Sequence, residues 1–213
     1  MPRMVRWPLV AVMASVLTVL LMACSSQDSD ILPVYEDIPH FSLTDQMGQA
    51  VTREDLLGKV VLANFIFTNC TEFCPTLSPR MAQVQEKLEE DSLLGSELLL
   101  LSFSVDPEHD MPEILLSYAE RYGANHDAWL FLTGPPEVMR QVIIGGLKLA
   151  FGQVNQRNEH HHEDASIHIH EYDVFHTNRV VLVDKEGRVR AYYDGAVDWD
   201  MAKVLNDMRQ LLD

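Results

Sequence analysis

Cysteine and positive charge are both scarce in this chain. Of 213 residues only Cys24, Cys70 and Cys74 are cysteines, too few for the disulfide framework that staples small secreted domains. Sixteen basic side chains stand against 32 acidic ones, for a formal net charge of −16. A surface so negative repels phosphate backbones, which excludes nucleic acid as a partner. The N-terminal apolar stretch, residues 9–23, is shorter than the roughly 20 residues a membrane span needs. There is no internal repeat and no second linker.

What is present begins with a targeting segment. Arg3 and Arg6 form a positive n-region ahead of the apolar stretch, and Leu21-Met22-Ala23-Cys24 follows. The small Ala23 directly before a cysteine resembles a bacterial lipoprotein signal, so the mature chain is expected to start at a lipidated Cys24. Because Met22 is an unusual occupant of that motif, an uncleaved anchor is the alternative. Either way the remainder is expected in the bacterial cell envelope, membrane-anchored and facing the periplasm or the exterior. Residues 25–39 are polar, acidic and carry two prolines, and they read as a tether. Residues 40–213 suffice for one globular domain with a substantial core.

With Cys24 assigned to lipid, two thiols remain, in Cys70-Thr-Glu-Phe-Cys74-Pro75 directly behind the apolar, β-rich run 60–67. A structural disulfide closing so small a loop would stabilise little, because the chain entropy removed grows with loop length. A reactive or metal-binding pair is the better reading. Residues four apart on a helix share a face. The two sulfurs can therefore meet in a disulfide or share one metal ion, and a helix N-terminus nearby favours the thiolate that both roles require. The spacing by itself leaves the choice open.

The elements around the pair alternate. Residues 41–44 and 50–52 flank Met47-Gly48 as a small hairpin, and 59–67 reads as a fully buried strand. Leu77, Met81, Val84 and Leu88 line one face of a helix that starts at Pro75 or at Ser78-Pro79, since proline suits a first turn and not an interior. A strand is predicted over 97–105. Asp110-Met-Pro-Glu113 reads as an N-cap with its capping-box partner, opening a helix to Tyr122. A strand over 129–132, a helix over 136–149, a hairpin of 179–183 with 188–193, and a helix over 198–212 complete the chain. Strands alternating with helices imply an α/β fold with a largely parallel central sheet and an antiparallel edge. With cysteines after the first long central strand, the order is thioredoxin-like.

A third ligand would decide for metal, and His176 in Asp173-Val-Phe-His176-Thr177 is the candidate. Three blocks now carry a family resemblance: Phe67-Thr-Asn-Cys70-Thr-Glu-Phe-Cys74-Pro75, then Ser104-Val-Asp-Pro107 with Asp110-Met-Pro-Glu113, then His176-Thr177 with Leu182-Val-Asp-Lys-Glu-Gly187. In this order and spacing they resemble the Sco/SenC family, over about residues 39–212. The resemblance implies a thioredoxin-like domain that binds one copper ion through Cys70, Cys74 and His176. It also implies a role in assembling the binuclear copper centre of cytochrome c oxidase. The expected partners are the copper-bearing subunit of that oxidase or another periplasmic copper protein, and the membrane through the N-terminal lipid; the chain is expected to be a monomer. Such a ligand set is chemically coherent, since soft thiolates select Cu(I) and an imidazole helps hold Cu(II).

The sequence departs from the family in two places. Phe175 precedes the ligand histidine where the family commonly has an acidic residue, and the nearest carboxylate upstream is Asp173. Just before it lies a histidine-rich stretch, His160-His161-His162 followed by His168 and His170. A solvated polar loop that binds metal only incidentally is the expectation there, and these residues stay outside the primary site. His40, His109 and His126 sit beside predicted turns as surface residues, and Met81 and Met139 fall on apolar helical faces as core.

Three function classes follow. The first is a copper-binding assembly factor without turnover. The second is a membrane-tethered thiol-disulfide oxidoreductase in which Cys70 and Cys74 reduce cysteines of a copper-receiving subunit; thioredoxins usually place a proline ahead of the late strand, and 173–179 has none. The last is a thiol peroxidase, echoed only by the spacing from Thr71 to Cys74.

Overall fold

The computed structural model describes residues 32–69, 74–149, 152–153, 174–175 and 178–212, with the side chains of 74, 75, 152–153 and 174–175 excepted. All belong to the compact unit Leu32–Asp213. In chain order the elements are β1 (Ser42–Thr44), β2 (Ala50–Thr52), β3 (Val60–Ile66), α1 (Cys74–Glu90), β4 (Leu98–Ser104), α2 (Pro112–Arg121) and β5 (Trp129–Leu132). They continue as α3 (Pro136–Arg140), β6 (Gly152–Gln153), β7 (Val174–Phe175), β8 (Arg179–Val183), β9 (Val189–Asp194) and α4 (Met201–Gln210).

The apolar runs that read as buried strands form the middle of a five-stranded mixed sheet of order β5-β4-β3-β8-β9. Parallel pairing joins β3 to β4 and β4 to β5, whereas β8 runs antiparallel to β3 and β9 antiparallel to β8. Every residue of β3 and β4 is buried, as a sheet covered on both faces requires. Alternation along β3 sends Val61, Ala63 and Phe65 to one core, with Phe103, Met139 and Val181. Val60, Leu62 and Ile66 go to the other, with Leu77, Met81, Val84 and Leu88 of α1. Each such large side chain withdrawn from water contributes about 1.5–3 kcal/mol. β1 and β2 form the expected hairpin, which is tied to the end of β5 by reciprocal backbone bonds between Thr44 and Thr133. The fold is the thioredoxin-like arrangement expected from the order of elements.

Several local features differ from expectation. Pro79 lies inside α1, which opens at Cys74, so proline occupies both the first turn and the interior. Lacking an N–H, Pro79 leaves the Pro75 carbonyl without its helical donor, and the cysteine-bearing turn is bonded less tightly than the rest of the helix. The single helix predicted over 136–149 is α3 followed by a π-helical stretch, Gln141–Gly146. Gly146 there lies so close to Pro39 that an added Cβ would sit 2.1 Å from its ring. The Asp110 cap is absent: Met111 occupies the N-cap of α2 and no side chain bonds there.

The chain from Leu32, inside the stretch read as tether, is already laid along β9. Tyr35 donates its N–H to Val189 and Ile38 donates to Gly187, while Arg190 donates to the carbonyls of Leu32 and Pro33. Asp184 organises this corner. Only 2% exposed, it accepts from the backbone of Glu186 and Arg188, from Arg188 Nε at 2.9 Å and from Arg190 at 2.9 Å. Burial works to raise its pKa, but the bonds from Arg188 and Arg190 prevail and hold the carboxyl below its ordinary value. A carboxyl lowered in the folded state stabilises fully above its unfolded pKa of about 4, and that contribution disappears as pH falls through the folded value. Asp184→Asn should therefore lower the melting temperature at pH 7, where it leaves Arg190 buried without its anion, and thermal scans should show the deficit shrinking below about pH 4. An equal deficit at every pH would show that Asp184 acts through packing alone.

Candidate metal centre

The sheet decides which distant segments meet. Because β8 is antiparallel to β3, the residues that follow β3 and the residues that precede β8 lie at the same end of the sheet. Thr68 and Asn69, leading into Cys70, thus share that end with Asn178, two residues after His176. α1 opens there at Cys74, and β7 ends at Phe175 after pairing with β6 in the register Gly152↔Phe175. Cys70, His176 and the side chain of Cys74 lie outside the described residues, as do Cys24 and the histidines at 160–162, 168 and 170. Among the described residues no three His, Cys, Asp or Glu side chains gather as a metal site. A metal site in this chain would need donors beyond the described residues, and two thiols with one imidazole would be a donor set that suits copper.

The approach to His176 is held by a tight contact. Gly195 N–H donates to the Asn178 carbonyl at 2.8 Å, and Asn178 Nδ2 donates to Asp194 Oδ1 at 3.0 Å. Asp194 also accepts from the backbone of Val197 and Ala196, each at 2.8 Å, and these bonds hold its carboxyl below the usual range. A Cβ on Gly195 would stand 2.4 Å from Leu77 Cδ1 and 2.6 Å from the Asn178 carbonyl oxygen. Arg80 of α1 donates to the Gly195 carbonyl. The start of β8, the end of β9 and the early turns of α1 are thereby joined where only a glycine fits.

The approach to Cys70 is held by a buried carboxylate. Asp110, 1% exposed, turns away from α2 toward the end of β3. Its Oδ1 accepts the Thr68 hydroxyl at 2.6 Å and the Thr68 N–H at 3.2 Å, and its Oδ2 accepts the Ser104 hydroxyl at 2.6 Å. The Ser104 oxygen in turn accepts the Asp106 N–H at 3.0 Å. Burial pushes the Asp110 carboxyl above its ordinary value, against the pull of the Ser104 and Thr68 bonds. Sequence reading missed this role because Asp-x-x-Glu before a helix reads equally well as a capping box. The available signal was polar Thr68 and Ser104 at the ends of apolar strands.

Other polar residues have structural partners. Trp129 Nε1 donates to the Ser102 hydroxyl at 2.9 Å, and that hydroxyl donates to Asn64 Oδ1 at 2.6 Å, inside the α1 side of the sheet. His40 meets Glu54 at 2.7 Å, His109 meets Asp106 at 3.0 Å and His126 meets Gln46 at 3.2 Å. Met81 and Met139 are fully buried core. No described helix is long and apolar enough to cross a membrane.

Comparison with known proteins covers nearly all of the described chain. A sequence model of the SCO1/SenC family matches residues 33–213. The SCO1 protein homolog of Bacillus subtilis (strain 168) is 31% identical over 196 residues, covering 92% of this chain and 93% of that one. Among solved structures, a SCO1/SenC family lipoprotein from Bacillus anthracis str. Ames superimposes with a TM-score of 0.71 at 27% identity, covering 84% of this chain and 96% of that one. BsSco, a member of the Sco family of cytochrome c oxidase assembly proteins in which a disulfide switch is identified, gives 0.68 at 27%, covering 86% and 98%. Bradyrhizobium japonicum ScoI, with copper bound, gives 0.65 at 25%, covering 82% and 98%.

Proposed function

Because this chain belongs to the SCO1/SenC family, we propose that it carries one copper ion on Cys70, Cys74 and His176 and delivers it to the binuclear copper centre of cytochrome c oxidase. The recipient is the copper-bearing subunit of the oxidase or another copper protein of the cell envelope. The observation that carries this reading is the antiparallel β3–β8 pairing, which brings the segment entering Cys70 and the segment leaving His176 to one end of the sheet. The copper-bound relative supports copper as the cargo. Two thiolates suit Cu(I), the imidazole adds affinity for Cu(II), and three protein ligands leave a position open for an incoming ligand of the recipient. The lipoprotein relative supports lipidation at Cys24, with residues after it as the tether to a domain whose packing begins at Leu32.

A second reading has an observation of its own. The disulfide switch identified in BsSco favours redox chemistry at the same two sulfurs. In that case one thiolate of the Cys70 and Cys74 pair attacks a disulfide of the recipient, and the other resolves the mixed disulfide. The recipient leaves with two free thiols ready for copper, and this chain leaves oxidised.

Copper titration of the reduced full chain in detergent tests the first reading. One copper per chain is expected, unchanged when residues 159–170 are deleted, since the histidine-rich stretch is read as a solvated loop. Stoichiometry that falls on deletion would make that stretch a second site, and a chain that binds no copper would sink the carrier reading.

A further inference from the structure

Asp110 is an expensive way to hold a strand end. It is buried, no basic side chain pairs with it among the described residues, and burial raises its pKa. A buried carboxylate without a cation lowers stability relative to a neutral hydrogen-bonding or apolar side chain of similar size. Its hydrogen bonds nevertheless converge on one place: the amide and hydroxyl of Thr68, two residues ahead of Cys70, and the hydroxyl of Ser104, whose strand position is paired with Ile66. The anchor behind it is rigid. The Asp110 N–H donates to the Asp106 carbonyl at 2.9 Å, the Asp106 N–H donates to Ser104 Oγ, and the Val105 N–H donates to the Ile66 carbonyl at 2.8 Å.

We propose that Asp110 is a positioning residue for the copper site: its carboxylate, fixed to the end of β4 through Ser104, grips the amide and hydroxyl of Thr68 and sets the path by which the chain enters Cys70. The inference rests on the copper reading of Cys70, Cys74 and His176. The geometry of two sulfurs around one ion depends on how rigidly the peptide that precedes each of them is held. At the same end of the sheet Gly195 holds Asn178, two residues after His176.

The test uses the full chain in detergent, with Asp110→Ala, Asp110→Asn and Thr68→Val. Two quantities are read: the rate at which iodoacetamide alkylates Cys70 in the reduced, copper-free protein, followed by peptide mass spectrometry, and the position of the thiolate-to-Cu(II) charge-transfer band after loading. Asp110→Ala should change the alkylation rate about fivefold, the factor that corresponds to one buried hydrogen bond, and shift or broaden the band. Thr68→Val should move both in the same direction by less, because the amide bond to Asp110 survives. Asp110→Asn, which keeps an oxygen for Thr68, should return both close to the unaltered protein. A folded Asp110→Ala chain with unchanged Cys70 reactivity and an unchanged band would overturn the proposal. Should that variant fail to fold, Thr68→Val decides by the same readouts, since it leaves the Asp110–Ser104 anchor in place. If the unaltered chain binds no copper, the carrier reading falls, whereas an altered Cys70 rate in the variants still supports the positioning role.

Discussion

Replacing His176 by alanine is expected to abolish the thiolate-to-copper charge-transfer band of the Cu(II)-loaded chain and to weaken Cu(II) binding by about 100-fold or more. Loss of groups that merely orient a ligand costs about 10- to 100-fold, and removing a ligand lies at or beyond that range. Cys70→Ser and Cys74→Ser should each remove the band as well, because a thiolate is the donor of the transition and a serine hydroxyl stays protonated at neutral pH. The three variants should differ with Cu(I). Two thiolates alone are a serviceable soft site, so His176→Ala should retain Cu(I) far better than either serine variant does. Absorption spectra and competition titrations in both oxidation states would check this. A His176→Ala chain with normal Cu(II) affinity and an unchanged band would remove His176 from the site. It would also shift the balance toward thiol-disulfide chemistry, which needs Cys70 and Cys74 but no histidine.

Gly195→Ala is expected to produce the largest effect of any single methyl group added near the site. The new Cβ would meet the Asn178 carbonyl oxygen at 2.6 Å and Leu77 at 2.4 Å, well inside contact distance. Leu77 can rotate, but the carbonyl belongs to backbone that is also bonded to Gly195 N–H. Relief therefore requires β8 and β9 to part where they meet α1. Overpacking of this kind costs about 1–3 kcal/mol, which for a unit of this length lowers the melting temperature by about 2–12 °C. Because Asn178 lies two residues from His176, copper binding should weaken along with stability. Calorimetry and copper titration of the same preparation would measure both. A variant that melts normally would show that the approach at Gly195 is looser than the backbone indicates.

Where expectation and structure differ, local chemistry was readable but its partner was distant. Asp110-Met-Pro-Glu113 has the residues of a capping box, and a proline at the start of α2 does sit in the first turn. The carboxylate nevertheless goes to Thr68, 42 residues earlier, because two hydroxyls and an amide at the strand ends offer it more than one helix N–H does. Pro79 reads locally as a helix start, yet the buried face made by Leu77, Met81, Val84 and Leu88 keeps the chain helical through it. Packing of that face outweighs one lost backbone hydrogen bond. The π-helical stretch after α3 ends on Gly146 against Pro39, about a hundred residues away, a contact that periodicity cannot register.

By itself the sequence determined the elements that depend on local pattern, the buried runs that become β3 and β4, the helical face of α1 and the β8–β9 hairpin, and it offered two scarce cysteines and a later histidine as candidate donors. Strand period, helix period and ligand chemistry are properties of residues and their spacing, so they can be read from the chain. Only the tertiary structure decided that β8 runs antiparallel beside β3, that Asn178 is locked against Gly195, and that Asp110 accepts from Thr68 and Ser104 and caps no helix. Those outcomes are contests between distant groups for the same hydrogen bonds and the same space, and they are settled when the sheet closes.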